Sequence, residues 1–296
     1  MWPYKFILNL LGPMVESGKI NLQTQTPITS ITNDGHKQNP ACKYSVHTSR
    51  GTILAKQIIC ASNAYVAGLL PEYEKNIIPC KGICCHIATP EGKGPHSAPL
   101  LTNSYIHHTP DGDLSYLIPR TDGSIIVGGA SKSFFPYKEQ WYKNVDDSRL
   151  IDAAKDYYEG YMQRTFHGWE DSGADVTKIW TGVMGYSFDS HPHIGRVPDK
   201  EGQYIAAGFN GHGMPVIWLA TKGLVAMVVS DMRRTSGAAD VPRKEFKDIG
   251  LPRLYETTKE RIRRAQTAKE EDGDIIGIGA AFAKDATLEI NSTEEP

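Results

Sequence analysis

The sequence has 296 residues, of which 40% are hydrophobic and 22% are charged, and its formal net charge at pH 7 is −2. This length allows one large or two medium-sized domains with hydrophobic cores, and the nearly balanced charge gives no reason to expect a nucleic acid or an acidic membrane as partner. The cysteines lack the spacing of a zinc site, so no metal is expected, and their odd number indicates reduced thiols and a cytoplasmic protein. They are Cys42, Cys60, Cys80, Cys84 and Cys85.

The N-terminal segment predicts an amphipathic helix that ends at Gly18. Its apolar stretch lacks the cleavage site of a signal peptide. No apolar run in the chain is expected to reach the roughly 18–20 residues that span a bilayer, so no membrane is expected as partner. The residues that recur at helical spacing in this segment are Phe6, Leu10, Leu11 and Met14.

Two strands, 43–48 and 52–60, are predicted after this helix. Cys60 lies in an apolar run and is expected to be a small buried residue. The second strand runs into the small residues of Ala61-Ser-Asn-Ala64. Such an ending is typical of a strand whose C-terminal end meets a bulky group such as a cofactor.

From about residue 77 the chain alternates as extended segments do, and Asp122-Gly123 is a hairpin turn signal between two of them. Apolar residues at helical spacing then predict one continuous helix over 146–166. Together the strands and helices indicate a mixed α/β (α+β) architecture. The extended segments are 82–88, 104–108, 114–119 and 124–129.

The C-terminal part contains a glycine-rich turn. A strand over 202–207 leads into Gly208-Phe-Asn-Gly-His-Gly-Met214, and apolar residues then predict a helix over about 216–229, with another near 255–270. Three glycines in six residues let a flat ligand approach the backbone closely. The helix that follows offers unpaired N–H groups to an anion, and a reduced flavin carries negative charge.

Several ordered motifs resemble the D-amino-acid-oxidase-like family of FAD-dependent oxidoreductases, which includes the glycine and sarcosine oxidases. The main pair is Trp180-Thr-Gly-Val-Met-Gly-Tyr-Ser-Phe-Asp-Ser-His-Pro-His-Ile-Gly195 with the turn at 208–214. The segments Ser62-Asn-Ala-Tyr65, Ile78-Pro-Cys-Lys-Gly82 and Tyr116 to Gly129 follow the family's order. The resemblance covers about residues 1–265 and implies amine or amino-acid oxidation with FAD.

The resemblance implies an incomplete FAD-binding Rossmann-like domain, made of residues 1–76 and 176–232. A β-rich substrate-binding domain would occupy 77–175, a helical extension 233–270 and a flexible tail 271–296. The residues expected to contact the flavin are Asn63, Ala64, Gly182, Gly211, His212, Gly213 and Met214, and those expected to contact a small amine or amino-acid substrate are Tyr105, Tyr116 and Arg120.

The sequence departs from the family at three places. The family's N-terminal G-x-G-x-x-G unit, which holds the FAD pyrophosphate, is absent, and Gly277-Ile-Gly279 is a poor match to it. No cysteine near 183–184 could attach the flavin, so non-covalent FAD is expected. Ile125 stands near the position where some members carry a lysine that assists the reaction with oxygen.

These departures leave alternatives open. The chain corresponds to roughly the C-terminal two-thirds of a family member, and a partner chain would supply the missing dinucleotide-binding segment. It could instead be a non-catalytic remnant or subunit that binds no FAD by itself, or an enzyme that reuses the pocket without a cofactor. Fold alone does not decide among them.

Overall fold

The computed structural model describes residues 2–34, 42–90, 98–109, 112–237 and 241–268. The chain divides into two compact units, Met1–Gln57 and Ile58–Pro296.

The first unit contains one helix and one antiparallel sheet. Helix α1 (Pro3–Glu16) begins with a proline, whose fixed φ suits the first helical position, and the chain turns away at Gly18, whose φ is +68°. The predicted N-terminal helix is thereby confirmed. The three strands of the sheet, in spatial order, are β1 (Ile28–Thr32), β2 (Tyr44–Thr48) and β3 (Gly51–Ala55).

The prediction of one strand over 52–60 is wrong, because two strands in different sheets occupy this range. The pairing of β3 with β2 ends at Ala55, because its partner Tyr44 is the first residue of β2. Strand β4 (Ile58–Cys60) starts a new ladder, in which the Ile58 N–H donates to the Gly202 carbonyl at 2.9 Å. Hydrogen-bond partners therefore divide a continuous apolar run into two elements.

The second unit contains two sheets. The larger sheet is antiparallel and has the spatial order β6-β7-β8-β5-β9. In the smaller sheet, of order β10-β11-β4, β11 pairs antiparallel with β10 and parallel with β4. The strands are β5 (Ile77–Ala88), β6 (Tyr105–His108), β7 (Leu114–Pro119), β8 (Ile125–Gly128), β9 (Asp175–Ser187), β10 (His193–Arg196) and β11 (Gln203–Ala207).

The helices of the second unit are short apart from two. Short 3-10 helices cover Asn63–Gly68, Pro71–Tyr73, Asp152–Ala154, Asp156–Tyr158, Phe246–Asp248 and Arg253–Tyr255. The α-helices are α2 (Ser131–Phe134), α3 (Lys138–Trp141), α4 (Tyr161–Thr165), α5 (Gly213–Thr235) and α6 (Lys259–Thr267).

The predicted continuous helix over 146–166 is wrong. Asp146 accepts the Ser148 N–H at 3.0 Å in a local turn, two 3-10 turns follow, and Gly160 at φ +59° separates them from α4. Tyr158 instead faces the sheet, where its hydroxyl donates to the Ile83 carbonyl at 3.0 Å. The helical spacing of the apolar residues therefore reflects their packing on the sheet.

The described residues of this unit include two hydrophobic cores. One lies on the inner face of the five-stranded sheet, where Ile83, Cys85 and Ile87 of β5 pack with residues of the segment 151–162. The other lies between the smaller sheet and α5, and includes Leu224 and Met227. Cys60 is buried as predicted, and all five cysteines are free thiols.

Helix α5 corrects the expectation that no segment is long enough to span a membrane. It has 23 residues and, within the part of the chain that the structure describes, is the one helix with the length and composition of a membrane span. Length and composition alone do not establish a membrane span, since the buried core helix of a soluble protein can share both properties. Ala220, Leu224 and Met227 on one of its faces are buried in the second core.

Candidate flavin and substrate site

The Asn63 side chain links the carboxyl ends of two parallel strands, β4 and β11. Asn63 follows β4 with a left-handed backbone (φ +47°), a conformation that asparagine tolerates better than most residues. Its side-chain oxygen accepts the N–H of Gly208 at 2.9 Å and that of Phe209 at 3.3 Å. Because Gly208 directly follows β11, the amide fixes the glycine-rich turn at the carboxyl end of β4.

Strand β9 reaches the same point. The Asn210 N–H donates to the Gly185 carbonyl at 2.8 Å, and the Asn210 side-chain oxygen accepts the Ser187 N–H at 2.9 Å. A Cβ on Gly185 would lie 2.9 Å from both Ala64 N and Asn63 Oδ1, so this approach requires glycine. We call residues 63–64, 185–187 and 208–210 the junction.

The chain leaves the junction through Gly211 and enters α5 at Gly213. A Cβ on Gly211 would lie 3.3 Å from the Tyr186 hydroxyl. The His212 side chain makes no capping hydrogen bond to α5, and Met214 is 56% exposed. The start of α5 is therefore an uncapped helix N-terminus beside the junction, where a negative charge is favoured.

The outer face of the five-stranded sheet, opposite its core, carries a row of residues in register. Tyr116 in this row lies over Gly128, where a Cβ would overlap the tyrosine ring. Its hydroxyl oxygen is 3.0 Å from Cys84 Sγ. Burial raises the pKa of both groups, so both are neutral at pH 7. The row consists of Ile106, Tyr116, Gly128, Cys84 and Trp180.

The next row on this face of β5 and β9 contains two glycines, two residues before Cys84 in β5 and two residues after Trp180 in β9. Gly82 and Gly182 face each other across the two strands. A Cβ on Gly82 would lie 2.8 Å from Met184 Cε, whereas a Cβ on Gly182 would meet no atom within 4 Å. The protein therefore leaves open space over Gly182, on the part of β9 that leads to the junction.

The predicted substrate-binding residues lie on two faces of the sheet. Tyr116 lies on the outer face, and by the alternation of side chains Arg120 continues that face beyond the end of β7. Arg120 forms an ion pair with Asp122 at 3.2 Å. Tyr105 instead packs against the core, edge-on to Phe166 with 5.4 Å between ring centroids. The structure places Tyr116 and Arg120 on one face of the sheet and Tyr105 on the other.

Sequence reasoning missed several residues of this region. Asn210 stood within the glycine-rich turn without a role, although its left-handed backbone (φ +56°) is typical of asparagine at such a position. Gly185 was part of a quoted motif, but the backbone that it contacts is remote in sequence. Cys84 and Gly128 become neighbours of Tyr116 only through strand register.

The site suits the ring end of a flavin. The glycine backbone, the open space over Gly182 and the uncapped start of α5 meet the needs of a flat ring that becomes negatively charged. The described residues contain no group of three or more histidine, cysteine or acidic side chains that could hold a metal ion. The poor match to a dinucleotide motif at Gly277–Gly279 lies outside the described residues.

Comparisons with known proteins agree with this reading. Gamma-glutamylputrescine oxidoreductase of Escherichia coli (strain K12) is 24% identical over 241 residues, which is 81% of this chain and 51% of that protein. Glycine oxidase of Bacillus licheniformis is 24% identical over 64% of this chain and 44% of its own length. The chain thus spans about half the length of the curated relatives that it matches.

Solved structures show the same fold. The crystal structure of glycine oxidase from Geobacillus kaustophilus matches 70% of this chain and 49% of its own, with a TM-score of 0.50 and 21% identity. L-amino acid deaminase from Proteus vulgaris, in a form with its specific insertion sequence deleted, matches 82% of this chain and 52% of its own, with a TM-score of 0.51 and 13% identity. The profile of the DAO family, described as FAD dependent oxidoreductase, matches residues 3–227. The chain therefore belongs to this FAD-dependent oxidoreductase family, as its motifs implied.

Proposed function

We propose that the chain forms the flavin-ring and substrate side of an enzyme that oxidises a C–N bond of an amine or amino acid, with non-covalent FAD. When bound, FAD accepts a hydride from the carbon next to the nitrogen. The names of the relatives, a glycine oxidase and an oxidoreductase of an amine, support this substrate class. The observation that carries the proposal is an arrangement on the outer face of the sheet. Arg120 and Tyr116 lie on this face, and the open space over Gly182 lies on the same face, nearer to the junction.

Each part of the site has a role in this proposal. Asn63 holds the turn, Ala64 lies beside Gly185 at the junction, Gly182 leaves room for the ring, and the segment 211–214 borders its anionic edge. The Arg120 guanidinium would bind a substrate carboxylate, and the neutral Tyr116 hydroxyl would donate a hydrogen bond. Tyr105 was also predicted to bind substrate, but its ring packs against the core. We propose that it supports the sheet from the core side of β6.

A second candidate is a subunit of the same fold that binds no FAD by itself. The observation in its favour is the exposed apolar side of α5, where Ile217, Trp218 and Leu219 are 45%, 65% and 61% exposed. A partner chain that supplies the dinucleotide-binding segment could cover such a surface. The five free thiols support a reducing compartment, and we propose the cytoplasm.

The two candidates differ in an anaerobic experiment. The purified chain is mixed with FAD, and glycine, sarcosine and a set of amines are added while the visible flavin band is followed. Bleaching of the band by an amine supports the enzyme. A flavin that binds but is not reduced by any of these compounds would contradict amine oxidation, and loss of the flavin on desalting would favour the non-catalytic subunit.

A further inference from the structure

A β-bulge in β9 brings a threonine against a histidine of β5. The ladder between these strands pairs His86 with Lys178 and Ile87 with Val176, so Thr177 has no opposite residue. Bulges re-aim side chains and occur often beside active sites. Here the Thr177 hydroxyl donates to the His86 carbonyl at 3.2 Å, and its oxygen lies 2.5 Å from His86 Nδ1.

This contact bears on which nitrogen of His86 carries the proton. Thr177 has one hydroxyl proton and two acceptors within reach, the His86 carbonyl oxygen at 3.2 Å and Nδ1 at 2.5 Å. When the proton is donated to the carbonyl, the threonine oxygen accepts from the ring, so Nδ1 carries the ring proton and Nε2 keeps its lone pair. In the described part of the chain, no residue forms a hydrogen bond with Nε2 of His86. In this tautomer the ring presents a proton acceptor.

His86 lies on the same sheet face as the proposed substrate residues. Its neighbours Cys85 and Ile87 are buried in the core, so His86 projects from the opposite, outer face. It pairs with Ile126 of β8, one row beyond the Tyr116 row and on the side toward Arg120. Successive rows on one face are roughly 7 Å apart, which is the scale of an amino acid.

We infer that His86 is in its Nδ1–H form and accepts, at Nε2, a proton from the ammonium group of an α-amino acid whose carboxylate binds Arg120. The inference rests on the proposed function. An ammonium nitrogen has no lone pair, so an N–H bond must break before the neighbouring carbon can lose hydride. The proton goes to Nε2 of His86, the electron pair of the bond stays on nitrogen, and the hydride and its two electrons go to FAD, leaving a C=N bond.

Burial and the charges around His86 keep its ring neutral, which is the form that has a lone pair, and they also make it a weaker base in the absence of substrate. Burial and then the charge of Arg120 lower the pKa of His86, and Asp122 acts in the opposite direction. Lys178, on the adjacent strand, adds a further cation at the paired position. A substrate carboxylate beside Arg120 would offset part of this positive charge, and proton transfer to the ring would then become easier.

The first test uses the chain without FAD and reads the imidazole nitrogens of His86 by two-dimensional NMR. We expect the Nδ1–H form at pH 8, and a shift of its resonances when glycine is added. Thr177→Ser keeps the hydroxyl and should keep this form, whereas Thr177→Val should lose it. A predominant Nε2–H form, or resonances that glycine leaves unmoved, would overturn the inference.

The second test measures anaerobic flavin reduction by glycine in the FAD-loaded protein. His86→Gln should slow reduction about 100-fold at pH 7, with the deficit shrinking as the pH approaches that at which the free amine loses its proton. His167→Gln is the matched control, because the His167 side chain is fully exposed. Equal rates and pH profiles in His86→Gln and the wild type would overturn the inference. A wild-type flavin that no amine reduces would instead overturn the proposed function.

Discussion

The side-chain oxygen of Asn63 accepts the backbone N–H of Gly208 at 2.9 Å across 145 residues of sequence. This bond joins the carboxyl ends of two parallel strands and sets the path of the glycine-rich turn. Together with Asn210, which bonds the turn to β9, Asn63 therefore sets the position of Gly211 relative to the Tyr186 hydroxyl.

We expect Asn63→Gly to lower the free energy of unfolding by about 1–3 kcal/mol, because two buried N–H groups lose their acceptor while the backbone stays permissive. Asn63→Asp keeps the acceptor oxygen and should lower it by less than about 1 kcal/mol. Urea denaturation of both variants tests this prediction. Equal stability of Asn63→Gly and the wild type would show that the turn does not need this bond.

Two glycines of β9 should respond differently to one added methyl group. Gly185→Ala places a Cβ 2.9 Å from the backbone N of Ala64 and should destabilise the protein by about 1–3 kcal/mol. Gly182→Ala meets no protein atom within 4 Å and should leave the thermal midpoint nearly unchanged. Thermal unfolding followed by circular dichroism compares the two. Similar midpoints would contradict the close approach of β9 to the junction.

The ion pair between Arg261 and Asp189 should matter more than a surface pair nearby. Arg261 binds both carboxylate oxygens, at 2.8 and 2.7 Å, and its side chain is 11% exposed. Arg261→Ala should cost about 3 kcal/mol, because it leaves a half-buried carboxylate unpaired. The control is Lys259→Ala, whose exposed pair with Asp199 should contribute less than about 1 kcal/mol. Equal losses in urea denaturation would refute this ranking.

His193 should make the second unit less stable in mild acid. It is 1% exposed, and burial, followed by the charge of Arg261, lowers its pKa to about 3. The folded ring is therefore neutral, while the unfolded ring takes up a proton below about pH 6.5, so stability is complete above that pH and falls below it. The slope should reach at most about 1.4 kcal/mol per pH unit.

Denaturation midpoints between pH 4.5 and 7.5 test the contribution of His193. His193→Gln should have lower stability at pH 7.5 but a flatter dependence on pH, because its side chain does not titrate. His86, whose pKa is lowered less and whose side chain is more exposed, should leave a small residual slope. An unchanged slope in the variant would assign the pH dependence to other groups.

The family and the glycine-rich turn could be predicted from sequence because they depend on residues close together in the chain. The failed helix over 146–166 has a physical reason: tyrosines spaced as in a helix also fit successive 3-10 turns, and only the sheet beneath them decides. Tyr158 bonds to a carbonyl 75 residues away, and no local pattern reveals this partner.

The arrangement of the candidate site was harder to predict, because strand register determines it. Tyr105 and Tyr116 stand eleven residues apart in similar strands, and their sequences do not tell which ring faces the core. Likewise, the unmatched Thr177 follows from one extra residue in β9, and only this bulge places it beside His86. A shift of one residue in pairing reverses the faces of a strand.

The most direct test of the central claim is the visible spectrum of the chain after mixing with excess FAD and removal of free cofactor. We predict a retained flavin band for the wild type and for Gly68→Ala, a control glycine in open surroundings. Gly182→Ala should lose most of the band while remaining folded, since only the ligand would meet its methyl group. A folded, colourless wild type, or equal bands in Gly182→Ala and the wild type, would contradict a flavin site at this glycine backbone.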